Sequence, residues 1–188
     1  MITVEKTAIP DVLLIATRWF EDERGSFSEV YSRHDWVEAG ITEDWQQDNH
    51  ARSRLAGTVR GLHFQRPPMA QAKLIRVVTG AIWDVVLDIR HGSPWFGRWV
   101  GVELSAATRT QLYVPAGFAH GYCTLEPETE ILYKVDAPYA PEAEGGIAWD
   151  DPALAISWPL PPGGEVIAER DRHLPPLAVL APCFHHGR

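Results

Sequence analysis

Apolar and polar residues along the chain form mainly short, strand-like segments. The clearest of these, rich in Val, Ile, Trp and Tyr, cover residues 81–88, 98–104, 110–114 and 130–135. Turn-forming residues such as Thr79-Gly80 separate them. Short strands at this spacing are typical of an antiparallel sandwich or barrel, so the pattern predicts an all-β fold.

Helical periodicity is scarce. The best candidate covers residues 33–39, between Ser32 at the N-cap position and Gly40, which would end the helix. Towards the C-terminus the chain becomes rich in Pro and Gly and then charged, which favours a wrapping tail over a second domain. We therefore expect one domain over residues 1–188, with a barrel core at roughly 45–150, N-terminal strands and a C-terminal wrapping segment.

Composition narrows the classes of function. Seventeen basic residues stand against 25 acidic ones, a net charge of −8, whereas general nucleic-acid binding needs a basic face. No apolar stretch approaches the ~20 residues of a membrane helix, and no signal peptide is evident. The two cysteines, Cys123 and Cys183, form no CxxC motif. We expect a cytoplasmic protein that binds neither nucleic acid nor membrane.

His63, in Arg60-Gly61-Leu62-His63-Phe64-Gln65, is the first candidate for chemistry. A lone strand histidine is more often a structural hydrogen-bonding residue. Arg60, however, lies three positions before it, and Lys73 begins another strand-like segment ten positions after it. Buried cations are costly without a compensating anion, so the cluster indicates a site for an anionic ligand.

His120 lies in a PxGxxH pattern, Pro115 to His120, which resembles the second motif of the cupin superfamily. Metal-binding cupins usually supply His-x-His and a Glu from the first motif. Here Gln65 stands where the second His would be. Two histidines without a clear carboxylate make a weak zinc or iron site, so we expect no metal.

Other residues allow two interpretations each. Tyr133 fits a core aromatic or a proton donor, and Asp171 fits a solvated charge or a partner for a histidine. Arg24 and Glu29 lie in a charged segment typical of a hairpin. The polar run at residues 47–50 suits either a polar ligand or an elaborate loop.

Together, the motifs resemble the dTDP-4-dehydrorhamnose 3,5-epimerase family. They are Asp22-Glu23-Arg24-Gly25-x-Phe27-x-Glu29, Gln47-Asp48-Asn49-His50, Arg60-Gly61-Leu62-His63-Phe64-Gln65, Lys73-Leu74-Ile75-Arg76-Val77, Asp84-Val85-x-x-Asp88-x-Arg90, Gly92-Ser93-Pro94-x-Phe96-Gly97, Pro115-x-Gly117-Phe118-Ala119-His120-Gly121, Glu144-Gly145-Gly146-Ile147 and Trp149-Asp150-Asp151-Pro152. Any one motif is weak evidence, but the ordered set is specific.

This resemblance implies a cupin-type antiparallel jelly-roll barrel that works as a homodimer without metal or cofactor. The implied reaction inverts C3 and C5 of dTDP-4-dehydro-6-deoxy-D-glucose to give dTDP-4-dehydro-L-rhamnose. Carried over by position, His63 would be the base and Tyr133 the acid. Asp171 would hold His63, and Lys73 would face the enolate oxygen. The residues that would hold the sugar nucleotide are Arg24, Glu29, Gln47, Asp48, Asn49, Arg60, His120, Glu144 and Arg170, with Tyr139 stacked on thymine.

Pro138 departs from the family pattern, in which an aromatic or polar residue is commoner before Tyr139. Because it would reshape the wall near Tyr133 and Tyr139, the product stays open at this point. A 3- or 5-monoepimerase acting on a related dTDP-sugar is one alternative. A non-catalytic sugar-nucleotide-binding cupin is another, although a binder needs no acid–base pair.

Overall fold

The structure, a computed structural model, describes residues 2–187, and most of its regular elements are strands. In chain order these are β1 Ile2–Lys6, β2 Leu13–Thr17, β3 Phe20–Asp22, β4 Gly25–Phe27, β5 Gln47–Ser53, β6 Thr58–Gln65, β7 Lys73–Thr79, β8 Ala81–Asp88, β9 Trp99–Ser105, β10 Thr110–Val114, β11 Phe118–Thr124, β12 Thr129–Val135, β13 Glu144–Gly146 and β14 Val166–Ile167. The helices are α1 Arg33–Glu38 and α2 Glu169–Arg172, with 3₁₀ turns at 141–143 and 177–179.

Two six-stranded sheets form the barrel. The first has the order β1-β2-β10-β7-β12-β5, and the second has the order β13-β6-β11-β8-β9, with β14 added beside β6. The pairs are antiparallel except for the short β14–β6 pair. This confirms the predicted all-β, cupin-type jelly roll with few short helices. None of the helices within residues 2–187 has the length and hydropathy that crossing a membrane would require.

The second sheet is buried on both faces, which explains why β8 is apolar almost throughout. Ile82 and Val86 face the barrel interior, whereas Val85 and Leu87 lie in a separate cluster with the C-terminal residue Phe184. The first sheet has a cover as well, because Trp36 of α1 packs on its outer face. Both sheets of the barrel therefore have residues packed on their outer faces.

The predicted element boundaries agree closely with the structure. The strands at 81–88 and 110–114 match, and the helix ends at Glu38, with Gly40 in a left-handed conformation at φ +86°. Ser32 occupies the N-cap position but makes no side-chain capping bond. Sequence patterning did not predict α2, because four residues are too few for a helical period.

Candidate active site

A β-bulge in β6 directs two basic side chains, Arg60 and His63, into the same cavity. Residues three apart on a regular strand point to opposite faces. Here His63 pairs with His120 and Arg60 pairs with Tyr122, so the register shifts between them. Gly61 lies in this bulge at φ +120°, and a Cβ there would lie 2.6 Å from the Cα of Gly121. A glycine at the bulge thus places Arg60 and His63 on one wall.

The first sheet forms the opposite wall. Gln47 and Asn49 of β5 alternate inward and lie beside Val135 and Tyr133 of β12 in the strand register. Lys73 begins β7, opposite Val135. The inward face of this sheet therefore contributes amides, a phenol and an ammonium group.

The cavity between the sheets has a volume of about 410 Å³. Its polar lining is Thr58, Arg60, His63, Lys73, His120, Tyr122, Tyr133, Arg170 and Asp171. An adjoining lobe of about 300 Å³ shares His63, Lys73, Tyr133 and Arg170 and adds the polar residues Gln47, Asn49, Gln65, Gln71, Tyr139 and Glu144. The structure thus brings together eleven of the fourteen residues predicted for the site.

Asp171 is held against His63 as expected. Its Oδ1 lies 2.9 Å from His63 Nε2, and its Oδ2 accepts a hydrogen bond from the Gly61 N–H at 3.2 Å. Burial alone would raise the pKa of Asp171, but the bond to His63 and the nearby charges keep it below its usual range. An ionised Asp171 accepts a hydrogen bond from the Nε2–H of His63, which leaves Nδ1 as the basic nitrogen of that ring.

The C-terminal segment places Asp171 beside His63. β14 pairs with Thr58 and Val59 at the start of β6, and α2 follows directly with Arg170 and Asp171. This pairing carries the charged segment along β6 to His63. No local pattern in the sequence shows such a contact.

A second histidine–carboxylate pair lies beside the first. His120 Nε2 is 2.9 Å from the Asp84 carboxylate, and Asp84 is fully buried on β8. Burial raises the pKa of Asp84, opposed by His120 and Lys73. In the sequence, Asp84 stood out as part of a family motif and was given no role. A carboxylate at an inward position of a buried strand needs a charged or hydrogen-bonding partner. Its position in the apolar segment 81–88 could therefore have marked Asp84 as a site residue.

Burial controls the protonation of the two groups on the first sheet. It lowers the pKa of Lys73 to about 8, against the opposing charges of Asp84 and Glu144. It raises the pKa of Tyr133, opposed by Arg60 and Arg170. Near neutral pH the cavity therefore contains a protonated phenol and an ammonium group close to losing its proton.

Tyr122 is a polar residue of the cavity that sequence reasoning missed. Burial raises its pKa to about 12. It lies in the GxxH-x-Tyr stretch after His120, where strand alternation places it on the same face as His120.

Three predicted substrate-binding residues do not reach this cavity within one chain. Asp48 alternates to the outer face of β5 and pairs with Lys134 Nζ at 2.8 Å. Arg24 lies in the β3–β4 hairpin, where it pairs with Asp22 at 2.5 Å and is exposed. Glu29 is exposed on the segment that follows this hairpin.

Comparison with known proteins shows the family to which this fold belongs. A family profile described as dTDP-4-dehydrorhamnose 3,5-epimerase matches residues 6–179. The chain belongs to the dTDP-4-dehydrorhamnose 3,5-epimerase family. The family member of that name from Sinorhizobium fredii is 47% identical over 183 residues, which are 97% of this chain and 93% of that protein.

Solved structures of this family and its neighbours have the same fold. The dTDP-6-deoxy-D-glucose-3,5-epimerase RmlC of Legionella pneumophila, in complex with dTDP-4-keto-L-rhamnose, is 37% identical with a TM-score of 0.95 and full coverage of both chains. ChmJ of Streptomyces bikiniensis, a 3'-monoepimerase in complex with dTDP-quinovose, is 32% identical with a TM-score of 0.85. That match covers 93% of this chain and 87% of ChmJ.

Proposed function

We propose that this protein converts dTDP-4-dehydro-6-deoxy-D-glucose to dTDP-4-dehydro-L-rhamnose by inverting C3 and C5. The observation that carries this proposal is the placement of His63 and Tyr133 on opposite sheets around one cavity. Inversion beside a ketone removes a carbon-bound proton from one face and returns a proton to the other. Two proton-transfer groups on facing walls suit that reaction.

His63 Nδ1 takes the proton in this mechanism. The Asp171 carboxylate stabilises the imidazolium that forms, and it fixes the tautomer beforehand. A positioned base of this kind typically contributes ~10²–10⁴ in rate. Tyr133, held in its protonated form by burial, delivers the new proton from the opposite wall.

Lys73 stabilises the enolate between these two steps. Loss of the carbon-bound proton places negative charge on the ketone oxygen. A preorganised donor at such an oxygen is worth roughly 10²–10³ in rate. Because this reaction transfers no electrons, it requires no redox cofactor. That the protein works without a cofactor and without a metal stays a prediction.

Arg60 and Arg170 supply positive charge for the diphosphate, because guanidinium donors match its oxygens in pairs. Gln47, Asn49, His120 and Glu144 offer hydrogen bonds to the sugar. Tyr139 is 54% exposed at the rim of the adjoining lobe, where its ring offers a face for thymine. These binding roles follow the positions of the family motifs.

A monoepimerase is the second candidate, because the 3'-monoepimerase ChmJ has the same fold. The lower identity to ChmJ, 32% against 47% for the Sinorhizobium fredii relative, favours the double inversion. Turnover of the dTDP-4-keto sugar in D₂O separates them by NMR. We expect deuterium at both C3 and C5, whereas label at one carbon would establish a monoepimerase and no label a non-catalytic binder. His63→Asn, the matched control, should abolish exchange while nucleotide binding persists.

A homodimer would explain the residues that lie outside the cavity. Within residues 2–187, β3 and β4 pair as strands only with each other, and their cross-strand pair Phe20 and Phe27 is 51% and 68% exposed. A second copy could cover these rings and receive Arg24 at its own cavity. If so, mixing inactive Arg24→Ala and His63→Asn chains restores activity; a mixture that stays inactive would place Arg24 in its own chain's site.

A cytoplasmic location is also part of this proposal. Cys123 and Cys183 are both free, as is usual in a reducing compartment. Nucleotide sugars would be available there. Binding to nucleic acid or membrane is not expected, given the acidic net charge of −8.

A further inference from the structure

Gln65 is a buried amide that makes its hydrogen bonds to the backbone of two loops. It ends β6 and is only 4% exposed. Its Nε2 donates to the Met69 carbonyl at 2.7 Å and to the Pro138 carbonyl at 3.2 Å. Its Oε1 accepts the Ala140 N–H at 2.8 Å. One side chain thus uses both ends of its amide.

Two of these three bonds flank Tyr139 in sequence. Between them, the Tyr139 N–H donates to Gln47 Oε1 at 3.0 Å. The Tyr139 hydroxyl donates to Glu144 Oε2 at 2.9 Å. The backbone is therefore held at three successive residues by two glutamines, although the ring that it carries is largely exposed.

Such fixation of an exposed aromatic residue has an energetic consequence. Ordering a loop residue costs backbone entropy equivalent to roughly a tenfold loss of affinity. If the loop were mobile, a ligand that stacks on Tyr139 would have to meet this cost on binding. Because the hydrogen bonds of Gln65 and Gln47 already hold this loop in the folded protein, the entropy cost is met during folding. Preorganisation of this kind raises affinity without adding a contact to the ligand.

We propose that Gln65 is a positioning residue that presents Tyr139 to the nucleotide base. This inference rests on the proposed function, in which Tyr139 contacts the base. The position requires an amide, since it must donate to Pro138 and accept from Ala140. Glutamate keeps the shape and the hydrogen-bond acceptor but loses the two N–H donors. Methionine loses both the acceptor and the donors.

The test measures Gln65→Glu and Gln65→Met by calorimetry with dTDP and by steady-state turnover of the dTDP-4-keto sugar. We expect Kd and KM to rise roughly tenfold for either variant, because the ligand must then order the Tyr139 loop on binding, with kcat within about threefold of wild type. Hydrogen exchange at residues 138–140 should accelerate while β6 stays protected. If Gln65→Met does not fold, Gln65→Glu, which is nearly isosteric, still decides.

A double-mutant cycle with Tyr139→Ala identifies the route of the effect. If Gln65 acts through Tyr139, Gln65→Glu adds no further rise in Kd in that background. The matched control is Thr129→Val, which removes a different buried side-chain bond, from Thr129 Oγ1 to the Glu126 carbonyl at 2.8 Å. It should leave Kd and KM unchanged.

The outcomes separate the two proposals. Unchanged Kd and KM in a folded Gln65→Glu, or an equal rise in the Tyr139→Ala background, overturns the role of Gln65. A wild-type protein that binds dTDP and shows the Gln65 effect, but does not invert the sugar, keeps this inference and refutes the proposed function.

Discussion

Replacing Asp171 by Asn isolates the electrostatic contribution of the carboxylate to the proposed base. The side chain is 3% exposed and touches His63 Nε2 at 2.9 Å. Asparagine has nearly the same shape and can still accept the bond from the Gly61 N–H. The substitution therefore removes one charge and leaves the packing almost unchanged.

The size of the effect follows from the charge that forms on His63. Two unit charges 4 Å apart at an effective dielectric constant of about 20 interact by about 4 kcal/mol. Arg170 Nε, 3.4 Å from Asp171 Oδ1, already offsets part of the carboxylate charge. We take roughly 2–3 kcal/mol as the loss, which is a factor of about 10² in rate. An amide that donates to Nε2 would also favour the wrong tautomer, so kcat should fall by about 10²–10³.

The assay is kcat for wash-in of solvent deuterium, with the Kd for dTDP measured in parallel. Asp151→Asn is the matched control. Asp151 is also buried and accepts two backbone bonds, from Ala153 and Leu177 at 2.9 and 2.8 Å, but it contacts no histidine within residues 2–187. It should lose stability without losing kcat. A folded Asp171→Asn enzyme with kcat within threefold of wild type would refute the reasoning.

Further predictions address the other groups. Because Lys73 must be charged to stabilise the enolate, and burial sets its pKa at about 8, kcat should fall as pH rises through about 8. Asp84 raises this pKa, so Asp84→Asn should move the alkaline limb of the pH profile to lower pH; a limb that moves up would contradict this. Tyr133→Phe should lower kcat by ~10²–10⁴ through loss of the acid, while calorimetry shows dTDP binding retained. Gly61→Ala should cost about 2–3 kcal/mol in thermal unfolding, because φ is +120° and Gly121 leaves no room for a Cβ, whereas Gly163→Ala, with open space around it, should cost under about 1 kcal/mol.

Local patterning predicted the elements better than the contacts between them. The apolar runs at 81–88 and 110–114 and the signals around α1 mark their boundaries because each depends on neighbouring residues. Strand alternation also separates Asp48 from Gln47 and Asn49, although the family motif groups all three. The family resemblance, and not spacing, paired His63 with Asp171.

Other features depended on three-dimensional context. Regular alternation would place Arg60 and His63 on opposite faces of β6, and only the bulge at Gly61 reverses this. In the sequence, Gln65 stands where metal-binding cupins usually have a second histidine. Two of its three hydrogen-bond partners, Pro138 and Ala140, lie more than seventy residues away, and contacts at that separation cannot be predicted from local periodicity.

The contact between Asp171 and His63 spans 108 residues of chain, and it has a consequence for synthesis. Domains begin to fold as the chain leaves the ribosome, so the strands of both sheets can assemble while the segment carrying Asp171 is still unmade. Such a nascent barrel has its histidine but lacks the carboxylate that orients it. The protein would therefore gain its full activity only late in translation, and a fragment truncated before α2 would lose activity by at least the factor of about 10²–10³ expected for Asp171→Asn.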